Sequence, residues 1–198
     1  MTNRQKIQKL TTLAILTAIV IVLQLAATGI FTFLPTTTIS LVLVPIVIGS
    51  ILTGPKGGAF LGFVFGAVTF FVGAFGAEPF TNFLFVAQPI ATAIICFGKG
   101  TFAGLCAGLV FRAFEKKNQL LAVFLAAATT PIVNTGLFIL GGLFLVKGAL
   151  ESYTGLSAVY FLINIVALTN FIPEFIVNLV LAPAVHTIIR AVGKNLSK

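Results

Sequence analysis

Long apolar runs dominate this chain of 198 residues, and very few charged residues interrupt them. Charged residues make up 8% of the sequence, whereas a soluble domain carries about a quarter to cover its surface. The mean hydropathy is +1.16. This composition excludes a soluble enzyme, a disordered chain and a nucleic-acid-binding protein, because each of these needs a polar surface. The sequence therefore predicts an all-α integral membrane protein, with residues 1–198 forming a single domain.

The apolar runs divide into six predicted spans at the turn residues and charges between them. A transmembrane helix needs about 20 apolar residues. Basic residues precede the first run, as in a signal peptide, but the further spans favour an uncleaved first helix. The predicted spans are Lys9–Ala27, Ser40–Thr53, Gly58–Gly73, one within 80–113 that ends near Arg112, Leu120–Val146 and Phe171–Ala191.

The basic residues decide whether the apolar stretch 80–113 crosses the membrane once or twice. With one crossing, ten of the twelve Lys and Arg residues share a side with both termini, and only Lys99 and Lys147 fall elsewhere. With two crossings they divide six against six. The positive-inside rule favours the first arrangement. We therefore predict six spans, cytoplasmic termini, and long external loops after the first and third spans, the latter (75–97) folding back over the bundle.

Four predicted spans each carry a polar residue at a similar depth. At 1.5 Å per residue these lie about 20–24 Å from the cytoplasmic ends. Polar residues inside a membrane are costly and therefore indicate function, so we predict a solvated pocket that opens to the outside. The candidate binding residues are Gln24, Lys99, Asn134 and Glu174, with Asn170 and Asn178 on the same helix face as Glu174 and Asn82 in the external loop.

Each of the four residues at this depth also has a structural alternative. Lys99 could snorkel to the outer interface. Gln24 could face water at the end of its span, and Asn134 could bond a neighbouring helix. Glu174 follows Pro173, which predicts a position at the start of the sixth span, where the helix dipole stabilises a carboxylate.

Small residues recur at every fourth position on three predicted spans. Such faces allow helix backbones to approach closely within a membrane. We interpret two glycine rows as internal packing, whereas the alanine face suits either internal packing or docking onto another membrane subunit. The rows are Gly58, Gly62 and Gly66; Gly100, Gly104 and Gly108; and Ala14 and Ala18.

The sequence offers no catalytic arrangement. One His and no Asp exclude a His-rich metal cluster and a Ser–His–Asp triad. The segment 98–101 resembles part of a phosphate-binding loop, but the Walker pattern is incomplete. There is also no series of intramembrane carboxylates to drive a proton-coupled carrier. We therefore predict a solute-binding protein, not an enzyme, without metal or cofactor; a stand-alone carrier or a structural membrane subunit are the alternatives.

Several segments resemble one transporter family. They are Ala-Ile-Leu-Thr-Ala at 14–18, Val-Pro-Ile-Val-Ile-Gly at 44–49 with Gly-Pro-Lys-Gly-Gly at 54–58 and Leu-Gly-Phe at 61–63, Asn-Thr-Gly at 134–136, and Pro-Glu-Phe-Ile-Val-Asn at 173–178 with Leu-Ala-Pro-Ala at 181–184. With these motifs the chain resembles the substrate-binding (S) components of energy-coupling-factor (ECF) vitamin transporters. The likeness covers nearly the whole chain.

The resemblance implies an outward-facing vitamin site in a multi-pass protein of the bacterial cell membrane, surrounded by lipid. Its partners would be a transmembrane coupling subunit, which Ala14 and Ala18 would contact, and two ATP-binding subunits. The loops after the first and third spans would close over the ligand.

The motifs are most similar to those of pantothenate-type components. Lys99 would then neutralise the pantothenate carboxylate, while Asn134, Glu174 and Asn178 meet its hydroxyl and amide groups. Where such relatives have a Pro-Arg pair, however, this chain has Gly98-Lys99, so riboflavin, folate and cobalamin stay open as ligands. The absence of Trp disfavours an aromatic cage for a cation such as thiamin.

Overall fold

The computed structural model describes residues 3–30 and 41–196, with side chains described for 3–28 and 41–191. Most of the predicted external loop after the first span lies outside these residues. Within them, every regular element is helical, which confirms the all-α prediction. The elements are α1 (Asn3–Ile30), α2 (Leu43–Thr53), α3 (Pro55–Ala74), α4 (Pro79–Ala87), α5 (Pro89–Phe114), α6 (Gln119–Phe144), α7 (Lys147–Thr154), α8 (Ala158–Tyr160), a π-helix (Phe161–Phe171) and α9 (Ile172–Leu196).

Five helical segments within the described residues are long and apolar enough to cross a membrane. They are 3–28, 55–74, 89–114, 119–144 and 158–191. The apolar helix α2 has only 11 residues, which would span about 16 Å, roughly half of the hydrocarbon core. The chain is therefore a multi-pass membrane protein, whose described residues include five long apolar helices and the short helix α2.

Helices α3 and α5 pack backbone to backbone through the two glycine rows. A Cβ added to Gly62 or to Gly100 would overlap the carbonyl of the other glycine, and Gly58 and Gly104 are related in the same way. The pairs run in opposite directions along the two helices, so α3 and α5 are antiparallel. This arrangement confirms the interpretation of the glycine rows as internal packing.

The helix ends that carry most of the basic residues gather at one end of the bundle. A Cβ on Gly57 would lie 3.7 Å from Leu13, and one on Gly108 would lie 2.7 Å from Cα of Pro55. The starts of α1 and α3 and the end of α5 are therefore neighbours. The start of α6 and the end of α9 meet the end of α5 in one apolar cluster that includes Phe111, Ala122 and Ile189.

Two further apolar clusters complete the core. One joins α1, α2 and α3 through Leu16, Val20, Leu43, Ile46 and Leu61. The other lies at the end opposite the basic residues and joins α4, α6, α7 and the π-helix through Phe80, Phe138, Leu150 and Phe161.

The prediction of a long external loop at 75–97 is wrong. Pro79 and Pro89 interrupt the apolar stretch, but each is the first residue of a helix. The N–H that proline lacks would have no hydrogen-bond acceptor within the helix at that position. Glu78 caps α4, because its carboxylate accepts the backbone N–H groups of Phe80 (3.1 Å) and Thr81 (2.7 Å). The connection after α3 is therefore a short turn followed by α4, and α5 begins well before the predicted span.

The predicted start of the sixth span at Phe171 is also wrong. Helical backbone begins at Ala158 and runs through the π-helix into α9, with Ile172 at φ −62° and ψ −50°. Glu174 therefore lies inside a continuous helix. No free helix end remains there for its carboxylate to stabilise.

The π-helix keeps one face of this long segment turned inward. Along the π-helix and the following part of α9, buried residues recur every four positions: Leu162, Val166, Asn170, Glu174, Asn178 and Ala182. In an α-helix each step of four overshoots a full turn by about 40°. In a π-helix, with i→i+5 bonding and more than four residues per turn, the same step falls short of a turn. The two drifts oppose each other, so the polar residues stay on the inner face.

Candidate ligand-binding cavity

A cavity of about 50 Å³ lies at the end of the bundle opposite the basic residues. At about 10–15 Å³ per water, it has room for a few water molecules. Its wall is built from α1, α3, α4, α5, α6, the π-helix and α9. The lining residues are Gln24, Thr28, Phe65, Thr69, Val72, Glu78, Phe80, Thr81, Leu84, Thr92, Ile95, Cys96, Lys99, Asn134, Phe138, Asn170 and Glu174.

The structure brings five of the seven candidate binding residues together around this cavity. The exposed fractions of Gln24, Asn134, Asn170 and Glu174 are 5%, 4%, 8% and 2%, and Lys99 also lines the wall. Gln24 does not face bulk water, because its side chain is buried in the cavity wall. Residues far apart in the sequence thus form one polar layer.

Three amide side chains in this layer each have an oxygen that could accept a hydrogen bond. Within the described part of the chain, Gln24 Oε1, Asn134 Oδ1 and Asn170 Oδ1 are buried without a hydrogen-bond partner. A buried acceptor without a donor costs about 1–3 kcal/mol. These oxygens are therefore suited to accept hydrogen bonds from water or a ligand in the cavity.

Lys99 points into the bundle. Its Nζ lies 5.6 Å from the ring centroid of Phe65 and 5.3 Å from that of Phe138, distances at which cation–π attraction operates. The ammonium therefore lies between α3 and α6 and faces the cavity.

Asn82 and Asn178 do not line the cavity. Asn82 Nδ2 donates to the carbonyl of Gly73 at 2.8 Å, which ties α4 to the end of α3. Asn178 is buried one turn beyond Glu174, and its Nδ2 donates to the Glu174 carbonyl at 2.8 Å. Both side chains support the helices that form the wall.

Glu78 lines the cavity, although the sequence analysis did not select it. Both of its carboxylate oxygens accept backbone N–H groups at the start of α4. The available signal was an acidic residue directly before a proline, a pattern typical of a helix start.

The hydroxyl groups in the wall donate to backbone carbonyls of their own helices. Thr28 Oγ1 donates to Gln24 O and Thr92 Oγ1 donates to Gln88 O, both at 2.9 Å. Among residues 3–30 and 41–196, no three His, Cys, Asp or Glu side chains lie close enough to hold a metal ion. The polar chemistry of the wall is therefore that of oxygen acceptors near one ammonium group.

Ala14 and Ala18 do not line the cavity and lie on the exposed face of α1. Helix α1 packs against α2 and α3 through its opposite face. Leu10 and Val22 are also exposed on α1, at 66% and 63%. Within the part of the chain that the structure describes, the two alanines are therefore not packed against another helix.

Comparison with known proteins agrees with this architecture. The model of the family described as "ECF transporter, substrate-specific component" matches residues 8–186. The chain is also 29% identical over 193 residues to the pantothenic acid transporter PanT of Lactococcus lactis subsp. cremoris (strain MG1363), and the match covers 92% of this chain and 94% of that protein. This family consists of transporter components, not enzymes. The chain belongs to the substrate-specific components of ECF transporters.

Proposed function

We propose that this protein captures pantothenate outside a bacterial cell for an ATP-driven importer. The observation that carries the proposal is the buried polar layer of Gln24, Asn134, Asn170 and Glu174, with Lys99 beside it. Pantothenate has a carboxylate, two hydroxyl groups, an amide and a branched apolar body, which suit an ammonium, oxygen acceptors and phenyl rings. The family and the name of the Lactococcus relative support this ligand.

The membrane arrangement follows from the basic end of the bundle. We infer that α2 is a sixth, short span, and that both termini are cytoplasmic because the basic residues favour that side. The cavity then opens outward. Since the cavity is only about 50 Å³, a ligand of the size of pantothenate requires the lining side chains to move apart.

Energy for transport would come from partner proteins. We infer that a transmembrane coupling subunit with two ATP-binding subunits receives the loaded protein, and that the exposed Ala14 and Ala18 face contacts the coupling subunit. Among the other candidate residues, Asn82 and Asn178 would act on the ligand indirectly, by fixing α4 and α9.

Equilibrium binding of radiolabelled pantothenate to the purified protein tests this function. We expect a Kd below the micromolar range, and no displacement by riboflavin, folate or cobalamin. Displacement by one of these vitamins would move the assignment to that ligand. The absence of any vitamin binding below the micromolar range would overturn the function.

Two asparagines of the π-helix provide a matched pair of variants for this assay. Asn170→Leu removes a polar group from the cavity, and we expect binding to weaken by roughly tenfold, which corresponds to about 1.4 kcal/mol. Asn164 is exposed on the same helix, so Asn164→Leu should leave the Kd unchanged. Equal effects of the two variants would show that Asn170 acts only through folding.

A further inference from the structure

The basic end of the bundle carries a large excess of positive charge. Glu115 is the one acidic residue there, because Glu78 caps α4, Glu151 lies on α7 and Glu174 lines the cavity. The described cations at this end are Arg4, Lys6, Lys9, Lys56, Arg112, Lys116, Lys117 and Arg190. Like charges that gather in this way repel one another and attract an anion.

Three of these cations come from different helices and converge where α3 begins. A Cβ added to Gly54 would lie 2.5 Å from a guanidinium nitrogen of Arg112, so the end of α5 reaches over the start of α3. A Cβ on Gly57 would lie 3.7 Å from Leu13 of α1, and Lys9 precedes Leu13 by about one helical turn. We call these three cations the basic rim: Lys9, Lys56 and Arg112.

Exposed apolar side chains lie about one helical turn from two residues of the basic rim. Phe60 follows Lys56 by four residues and Leu109 precedes Arg112 by three, and both are exposed. Residues at these spacings lie close together on a helix surface. In a membrane protein such apolar side chains contact acyl chains, while the neighbouring cations reach the level of the lipid headgroups.

This combination favours an anionic phospholipid as the partner of the basic rim. Arginine binds a phosphate through paired N–H donors, and lysine adds a compact positive charge. The acyl chains of the same lipid would cover Phe60 and Leu109. An acidic soluble protein would match the cations but would leave these two apolar side chains uncovered.

We propose that the basic rim binds the headgroup of an anionic phospholipid, with the phosphate held by Lys56 and Arg112 and the acyl chains along the exposed faces of α3 and α5. None of the three rim residues lines the cavity. The inference therefore goes beyond the proposed function and does not depend on which solute the cavity takes.

Native mass spectrometry of the purified protein tests this site with two lipids that have the same acyl chains, dioleoylphosphatidylglycerol and dioleoylphosphatidylcholine. We expect the first phosphatidylglycerol to bind at least tenfold more tightly than the first phosphatidylcholine, since each Lys or Arg near an anionic headgroup contributes about fivefold. The double variant Lys56→Gln with Arg112→Gln should weaken phosphatidylglycerol by at least about tenfold and change phosphatidylcholine by less than about twofold.

A second double variant, Lys116→Gln with Lys117→Gln, is the matched control. It removes the same charge from the same end of the bundle, but in the turn between α5 and α6. We expect it to weaken phosphatidylglycerol by less than about threefold, which is below the effect of a single rim cation. Unchanged melting temperatures show that both double variants are folded. If the rim variant does not fold, Lys56→Gln alone should weaken phosphatidylglycerol about fivefold.

Three outcomes would overturn this lipid site. They are equal wild-type affinity for the two lipids, an equal loss of phosphatidylglycerol in the two double variants, and displacement of phosphatidylglycerol by inorganic phosphate, which would identify a site for the free anion. Binding of radiolabelled pantothenate to the same wild-type preparation is measured separately. Its absence beside an intact preference for phosphatidylglycerol would count against the proposed function alone.

Discussion

Gly98 and Gly100 lie two residues apart on α5, yet their surroundings are opposite. A Cβ on Gly100 would overlap the carbonyl of Gly62, whereas one on Gly98 would meet nothing within 4 Å. We expect Gly100→Ala to lower the free energy of unfolding by about 1–3 kcal/mol or more, because backbone atoms cannot move aside as a flexible side chain can.

Gly98→Ala is the control, and thermal unfolding in detergent is the measurement. Replacing a helical glycine in open space by alanine stabilises by roughly 0.5–1 kcal/mol, so its melting temperature should be unchanged or slightly raised. A similar loss in both variants would contradict the backbone packing of α3 against α5.

At the residue scale, the convergence of Gln24, Lys99, Asn134 and Glu174 could be predicted because a helix has a fixed rise per residue. Counting from charged ends therefore gives depth in a membrane without knowledge of tertiary structure. It does not give the direction of a side chain around the helix. For that reason the alternatives for Lys99 stayed open, and Asn178 was placed with the binding residues although it lies outside the cavity.

At the element scale, the two errors have different origins. The loop at 75–97 was predicted from the charge count, which allowed the stretch 80–113 only one crossing, and the start of the sixth span was placed beside Pro173. Pro79, Pro89 and Pro173 each lie within or at the start of a helix. The first two occupy positions where a helix tolerates proline. Pro173 lies two residues after the end of the π-helix. Apolar sequence does not reveal a π-helix, because the π-helix changes only the hydrogen-bonding pattern.

The π-helix leads to an expectation about deletions. Removing the exposed Leu168 reduces the spacing between the buried residues Val166 and Asn170 from four positions to three. An ordinary α-helix keeps residues at this spacing on one face. We expect this deletion to convert the π-helix to α-helix, with the melting temperature within a few degrees of wild type and pantothenate binding retained.

Deletion of Val180 is the matched control, because Val180 is exposed in α9, where the helix is already α. Removing it rotates the following turns by about 100° and turns Ala182 and Val185 away from their cluster. We expect a large loss of stability. If the two deletions lower the melting temperature by the same amount, the π-helix does not contain one residue more than an α-helix would need there.

At the scale of the whole molecule, the exposed face of α1 that carries Ala14 and Ala18 is the proposed contact with a partner protein. We expect Ala18→Trp to leave pantothenate affinity unchanged and to reduce cellular uptake at least tenfold, because a bulky side chain prevents close helix approach. Ile19, which is also exposed, lies about 100° around the helix, so Ile19→Trp should have little effect on uptake. Loss of affinity in Ala18→Trp would show that this face supports the fold of the chain itself.

The location of the five long apolar helices could be predicted in large part because hydrocarbon thickness restricts where each segment lies, whereas the count of six spans stays a prediction. The fold between spans could not be predicted, because apolar sequence in α4 and at the start of α5 looks the same whether it crosses the membrane, lies on it or covers a cavity. Only contacts between elements, such as the hydrogen bond from Asn82 to Gly73 O, distinguish these cases.

The central claim is that this chain binds its solute but does not power its movement. Accumulation of radiolabelled pantothenate in lipid vesicles tests this claim most directly, with the chain reconstituted either alone or with an ECF coupling subunit and two ATPases. We expect no accumulation with the chain alone, and ATP-dependent accumulation with the full complex. Accumulation by the chain alone would contradict the claim and identify a stand-alone carrier.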